Sequence, residues 1–314
     1  MPIWLILVIV IASLLLITLL IWLFLSFSLF HACFDRNYSP SRIFNDERIE
    51  LDHSKGDNWL EAHKVEGVKC LSKDGLHLVG SLVINQEQTS LYVIAIHGFH
   101  GLWTSHVELM SELDERIKAN YLLINQRGSG LSEGRWTSMG VKEKEDLLQW
   151  IEFLKKRDPK CKIILYGASL GGSTILMSLD KIDEHVCCGI ADSAFADPYE
   201  QTIYTASKSL KGLARPAMWG ANLLAQLFLH INLKDQTEEK AERNNKTPIL
   251  LIHSAEDNFI PPLNLEKNYE RLNDKMLKEK RLFEHGKHAL IFWSNRQEYL
   301  KTVLDFLNES RAID

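Results

Sequence analysis

The chain has 314 residues, is 46% hydrophobic and 25% charged, and carries a formal net charge of −5 at pH 7. That balance is ordinary for a globular protein, and with no Lys/Arg-rich stripe it leaves no argument for a nucleic-acid partner. Five cysteines, Cys33, Cys70, Cys161, Cys187 and Cys188, are odd in number and lack Cys-x-x-Cys spacing, which points away from a disulfide framework and from a zinc site.

Residues 2–34 contain no Asp, Glu, Lys or Arg. About 20 apolar residues cross a bilayer, so Ile3 to Phe30 is long enough to span one with some tilt. Trp4 and Trp22 are residues of the kind that settle at membrane interfaces. A cleaved secretory signal is a poorer reading, because the run is too long and lacks both a basic n-region and an A-x-A site. A lipoprotein signal ending at Cys33 is also weak, since His31 fits it badly. Residues 1–34 therefore read as a single-pass membrane anchor. Arg36 and Arg42 follow it, and the positive-inside rule then places the C-terminal bulk in the cytoplasm. Residues 35–60 are polar, hold Ser-Pro-Ser and Lys-Gly-Asp breaks, and read as a linker or stalk with room for one short helix.

From about Glu61 the pattern becomes regular. Val65 to Leu71 and Leu76 to Val83 read as a hairpin joined at Asp74-Gly75. Leu91 to Ile96, Tyr121 to Ile124, Ile163 to Tyr166, Val186 to Ile190, Ile249 to Ile252 and Arg281 to Phe283 are further strands. Helical spacing falls between them, over Ser105 to Ile117, Val141 to Leu154 and Leu170 to Leu179, and Glu298 to Leu307 closes the chain. Strands alternating with helices predict an α/β fold with a mostly parallel central sheet covered on both faces. The alternation stops over 197–245, where two helices, Tyr199 to Ser209 and Pro216 to Leu229, read as a cap inserted above the sheet. The cap is strongly apolar. It packs either on its own core or, as a lid, against lipid or an acyl chain.

The stretch Gly167-Ala168-Ser169-Leu170-Gly171 lies between an apolar strand and a helical segment. Strand, G-x-S-x-G, helix is the nucleophile elbow, a turn so tight that the flanking glycines are required. A serine hydroxyl needs a histidine to take its proton, and the histidine needs a carboxylate to orient it. Both should follow the serine, at the ends of later strands. The strand ending at Ile252 leads to Asp257, with Pro261 opening the next helix; Glu256 and Asp192 compete for the same role. The strand ending at Phe283 leads to His288 in Gly286-Lys287-His288, with His285 as the competitor. For the oxyanion hole, two backbone N–H groups are needed. Leu170 follows the nucleophile, and Phe99 lies in the glycine-rich loop His97-Gly98-Phe99-His100-Gly101. No trio of His and carboxylates has metal spacing, so neither a metal nor a cofactor is expected.

These segments, together with Gln126-Arg127-Gly128-Ser129-Gly130-Leu131-Ser132-Glu133-Gly134, resemble the α/β-hydrolase superfamily over roughly Glu61 to Asn308. The chain looks most similar to membrane-anchored bacterial serine hydrolases related to serine aminopeptidases and acyl esterases. It departs from the commonest form at Asn125-Gln126, where an Asp-x pair often precedes the arginine, and at Ser129, where His is frequent. The resemblance implies a hydrolase domain over 61–314 and a Ser169-His288-Asp257 triad that cleaves an ester, thioester or amide through an acyl-enzyme. The tether and the apolar cap favour an acyl-ester or lipid-like substrate. A peptidase releasing N-terminal residues is the alternative, with a cap carboxylate such as Glu200 holding the ammonium group; a non-catalytic binding protein on the same fold is a second. Nothing in the sequence bears on oligomeric state.

Overall fold

The computed structural model describes residues 1–38, 51–85, 87–235 and 239–313. Residues 39–50 of the expected linker and 236–238 after the cap helices lie outside the described residues. The apolar N-terminus forms one uninterrupted helix, α1 (Ile3–Phe34). Its most apolar window has a mean hydropathy of 3.2 and none of it is buried, as for a bilayer-spanning segment. A short helix, α2 (Ser54–Ala62), precedes the sheet. It docks through Trp59, whose indole N–H donates to Asp114 at 2.8 Å and whose ring meets Tyr121 edge-on.

The sheet begins with the expected hairpin, β1 (Lys64–Leu71) and β2 (His77–Ile84), paired without a slip from Lys64↔Ile84 to Leu71↔His77. It continues with β3 (Leu91–Ile96), helix α3 (Val107–Asp114), β4 (Asn120–Ile124) and helix α4 (Glu143–Arg157). β5 (Lys162–Ala168), α5 (Leu170–Ser178) and β6 (Val186–Asp192) complete its middle. After β6 come α6 (Pro198–Leu210), α7 (Ala214–Leu229) and α8 (Glu239–Arg243), the segment read as a cap. β7 (Ile249–Ser254), α9 (Leu263–Arg271), β8 (Lys278–Phe283), α10 (Ile291–Ser294) and α11 (Arg296–Glu309) finish the chain. The strand order is β1-β2-β4-β3-β5-β6-β7-β8. β2 is antiparallel to β4, and every pairing from β4 to β8 is parallel. Because the central strands are buried on both faces, they read as continuous apolar runs rather than alternating ones.

One face packs Tyr121, Tyr299 and Phe306, the other Leu78, Trp150 and Ile175. Most boundaries shift by a residue or more from the sequence reading, and two of the shifts have a plain physical setting. The helix expected over Ser105 to Ile117 is a 3-10 turn, Trp103–His106, followed by α3, which ends at Asp114. β8 starts at Lys278, ahead of the apolar residues that revealed it. It is an edge strand, and charges on an edge discourage pairing with another chain.

α1 is longer than a membrane needs. At about 1.5 Å per residue its 32 residues reach about 48 Å, against a hydrocarbon core of about 30 Å. The excess is packed against protein. The Trp22 indole donates to the Pro216 carbonyl at 2.8 Å and its ring lies 5.4 Å from that of Trp219. One turn on, Ser26 meets Gly220 so closely that a Cβ at 220 would sit 2.1 Å from the serine Oγ. Such small residues let two helix backbones approach. Leu29, Phe30, Cys33 and Phe34 are then buried in one apolar cluster with α6 and α7. The chain leaves this cluster through Asp35, which bridges to Trp136 and is ion-paired to Arg135 at 2.7 Å.

The last turns of α1 are thus core residues of the folded domain. A chain starting at residue 22 keeps their contacts, and one starting at residue 35 loses them. At about 1.5–3 kcal/mol for each buried Leu or Phe side chain, the second should be the less stable by several kcal/mol in denaturant titration in detergent. Equal midpoints would show that the cap does not depend on α1.

Candidate active site

Between β5 and α5 the backbone turns through Ser169, which has φ 56° and ψ −121°. A left-handed serine is strained, and the surrounding packing must hold it there. A Cβ on Gly167 would lie 2.4 Å from the carbonyl carbon of Gly171, and one on Gly171 would lie 2.1 Å from the Ile96 carbonyl oxygen. Both glycines are therefore needed for α5 to fold back against β5 and the end of β3. The Ser169 N–H is anchored to the Asp192 carbonyl at 2.8 Å. The hydroxyl stands at the N-terminus of α5, where the first N–H groups have no intrahelical partner and the helix dipole favours negative charge.

His288 Nε2 lies 2.9 Å from Ser169 Oγ, and His288 Nδ1 lies 2.7 Å from Asp257 Oδ2. The other oxygen, Oδ1, accepts the N–H groups of Phe259 at 2.9 Å and Ile260 at 2.8 Å. Burial alone would raise the pKa of Asp257. Hydrogen bonds from His253, His288 and the Ile260 N–H hold it well below the usual carboxylate range instead. The competing residues are placed elsewhere. Glu256 pairs with His285 at 3.1 Å on the exposed side and accepts the Gly286 N–H. Asp192 accepts the Tyr299 hydroxyl at 2.7 Å and the Ser193 hydroxyl at 2.8 Å, and burial raises its pKa. It braces the floor of the site.

The loop after β3 lies against the serine: a Cβ on Gly98 would be 3.2 Å from Ser169 Cβ. Phe99 and Leu170 both border the space above Ser169. His97 fixes this loop from beneath. Its Nδ1 lies 2.7 Å from the Gly98 carbonyl, its Nε2 accepts the Gln126 N–H at 3.0 Å, and the Gln126 side chain donates to the His97 carbonyl at 2.6 Å. Asn125 Oδ1 accepts the Trp103 N–H at 3.1 Å on the far side of the loop. The Asn-Gln pair thus clamps the loop. Arg127 beside it is buried between Asp146 and Asp74, with bonds of 2.7–3.0 Å.

Two spaces meet at Ser169. One is an open cleft of about 790 Å³ bordered by Asp57, Gly98, Thr104, His106, His288 and Trp293. The other is a small, almost wholly apolar cavity of about 70 Å³ between Phe99, Met139, Phe195 and Ile260 on one side and Leu29, Ala32 and Cys33 of α1 on the other. Sequence reasoning did not anticipate three contributors. Phe259 sets its ring 4.8 Å from that of His288, the buried His253 lies 3.4 Å from Asp257, and α1 walls the apolar cavity. A histidine at the end of an apolar strand, four residues before the expected acid, was the available signal for His253. Among the described residues no cluster of His, Cys, Asp and Glu could hold a metal.

The profile of the prolyl oligopeptidase family matches residues 117–312. The chain is 32% identical to the protein YqkD of Bacillus subtilis over 198 residues, 60% of this chain and 62% of that one. Its fold is similar to that of the esterase Pf2001 of Pyrococcus furiosus, with a TM-score of 0.62 at 21% identity over 87% of this chain and 96% of that one. The acylaminoacyl peptidase of Pyrococcus horikoshii has a TM-score of 0.61 at 20% identity, over 84% of this chain and 45% of that one. The two structural likenesses establish the fold.

Burial pushes both His97 and His106 down to about 4. A histidine depressed from about 6.5 in the unfolded chain adds stability above that pH and loses it as the pH falls toward 4. Between pH 7 and 5 the expected loss is about 2 kcal/mol for each, read by denaturant titration. His106→Gln should roughly halve that loss; an unchanged pH dependence would show that these rings do not govern acid lability.

Proposed function

The chain belongs to the prolyl oligopeptidase family within the α/β-hydrolases, and we propose that it is a membrane-anchored, carboxylesterase- or lipase-like serine hydrolase of acyl esters. The observation that carries this reading is the unbroken relay from Asp257 through His288 to a strained Ser169, with distances of 2.7 and 2.9 Å.

In this mechanism Ser169 Oγ attacks the ester carbonyl while His288 Nε2 takes its proton. The Phe99 and Leu170 N–H groups stabilise the oxyanion that forms. The tetrahedral adduct collapses, the carbon–oxygen bond to the alcohol breaks, and His288 returns the proton to the departing oxygen. Water, deprotonated by His288, then attacks the acyl-enzyme, and its proton passes back to Ser169 as the acid leaves. Asp257 stays ionised throughout. It holds His288 in the Nδ1–H tautomer and stabilises the imidazolium.

A second reading is cleavage of a peptide, which the oligopeptidase family supports; the form read from the sequence releases N-terminal residues. It requires a carboxylate for the substrate ammonium. Glu200, a cap residue suited to that role by sequence, is bound through both oxygens by Arg215, at 2.9 and 3.1 Å, on an exposed surface. That arrangement favours the ester reading.

Full-length protein in washed membranes should react with a fluorophosphonate probe, and the labelled band should resist alkaline carbonate extraction. Ser169→Ala and His288→Ala should abolish labelling, and Asp257→Asn should slow ester turnover by about 10⁴. Labelling that survives Ser169→Ala, or none in the folded wild type, would sink the proposal in favour of a binding role.

A further inference from the structure

The apolar cavity beside Ser169 is closed on one side by α1. Leu29, Ala32 and Cys33 fall at i, i+3 and i+4, one stripe of the helix, and all three border it. The same turns are fixed by Phe30, whose ring lies 5.2 Å from Trp136 and 6.3 Å from Phe228. The wall is therefore held in place by packing and is not a loose tail.

The cavity also lies where a bilayer would deliver a chain. If the first 20 or so residues of α1 fill the hydrocarbon core, the membrane surface falls near Trp22 and Trp219, whose rings are 5.4 Å apart. From there α1 and α7 run side by side in one direction, Ser26 against Gly220 and then Phe30 near Phe228. Leu29 follows Trp22 by two helical turns, about 10 Å. Around this level Phe24, Phe27, Leu227 and Phe228 remain more than half exposed, an apolar collar continuous with the spanning helix. A collar of this kind sinks to the interface in water-facing membranes.

We propose that the end of the anchor helix is part of the substrate site: the small cavity lined by Leu29, Ala32 and Cys33 takes the first methylenes of the acyl chain of a membrane-resident ester whose carbonyl is presented to Ser169, and the rest of the chain runs out along the apolar collar. The proposal rests on the serine-hydrolase reading and adds the substrate class and the residues that select it. The open cleft on the other side of Ser169, bordered by Asp57, Thr104 and Ser105, takes the polar alcohol part. Chain-length selection then belongs to a helix that sequence alone assigns to anchoring.

The test uses the full chain in phosphatidylcholine nanodiscs with a series of p-nitrophenyl esters from acetate to dodecanoate. Wild type should favour the longer chains by kcat/KM. Ala32→Phe fills the cavity and should lower the ratio of octanoate to acetate by about tenfold or more, since each methylene rejected from an apolar pocket is worth about 10-fold or above. Leu29→Ala enlarges the cavity and should move the optimum to longer chains. The two shifts are opposite in sign, so a folding defect in one variant leaves the other decisive. A wild type that prefers acetate, or ratios unmoved in both variants, overturns the proposal while leaving the serine hydrolase intact. No turnover of any ester by the wild type would overturn the hydrolase reading itself.

Discussion

The whole site depends on a steric constraint in the turn between β5 and α5. Ser169 is held at positive φ because neither Gly167 nor Gly171 has a side chain, and a Cβ on either would meet backbone at 2.1–2.4 Å. The same absence lets α5 press against the end of β3. That contact brings the 97–101 loop alongside the serine, where Gly98 approaches Ser169 Cβ. One backbone constraint thus presents Ser169, aims a helix N-terminus at it and sets the loop proposed to complete an oxyanion site. The histidine and the acid arrive independently, from the ends of β8 and β7, and the parallel pairing of those two strands fixes their separation.

A second dependence joins the long apolar helix to the candidate site. α1 exceeds the thickness of a hydrocarbon core by about a dozen residues, and those residues are shared with the cap rather than left as a stalk. The α1–α7 seam, the α6 helix and the 136–141 turn form one cluster that ends beside Leu170 and Ser169. Asp35 and Arg36 lock the exit of α1 onto the 130–135 loop, with the Arg36 guanidinium donating to the Gly130, Ser132 and Gly134 carbonyls. If α1 spans a membrane as proposed, a helix held this way fixes the orientation of the domain on it.

Much of this was legible in the sequence because the relevant signals are local. Apolar runs, the Asp-Gly turn and G-x-S-x-G each report on residues adjacent in the chain, and the strands, the hairpin and the elbow lie close to where those signals put them. Asp257 and His288 stood out in the sequence by their positions after strands, and the folded geometry brings these two, not Glu256 and His285, into line with Ser169. What stayed hidden is what depends on contact across the chain. β8 was shortened because Lys278, Glu279 and Lys280 carry edge charges instead of apolar ones. The brace of His253 on Asp257 needs the turn closed before the two meet. The wall at Ala32 is more than 130 residues from Ser169, and its one trace in the sequence was an apolar stretch longer than a bilayer requires.

In the proposed mechanism Ser169 carries the acyl group during turnover. The direct measurement is to quench the purified protein in acid during steady-state hydrolysis of a slowly deacylated ester and to map the adduct by peptide mass spectrometry. The acyl mass should appear on the peptide containing Ser169 and be absent from Ser169→Ala. Turnover with no adduct, or with an adduct on any other residue, would contradict that mechanism.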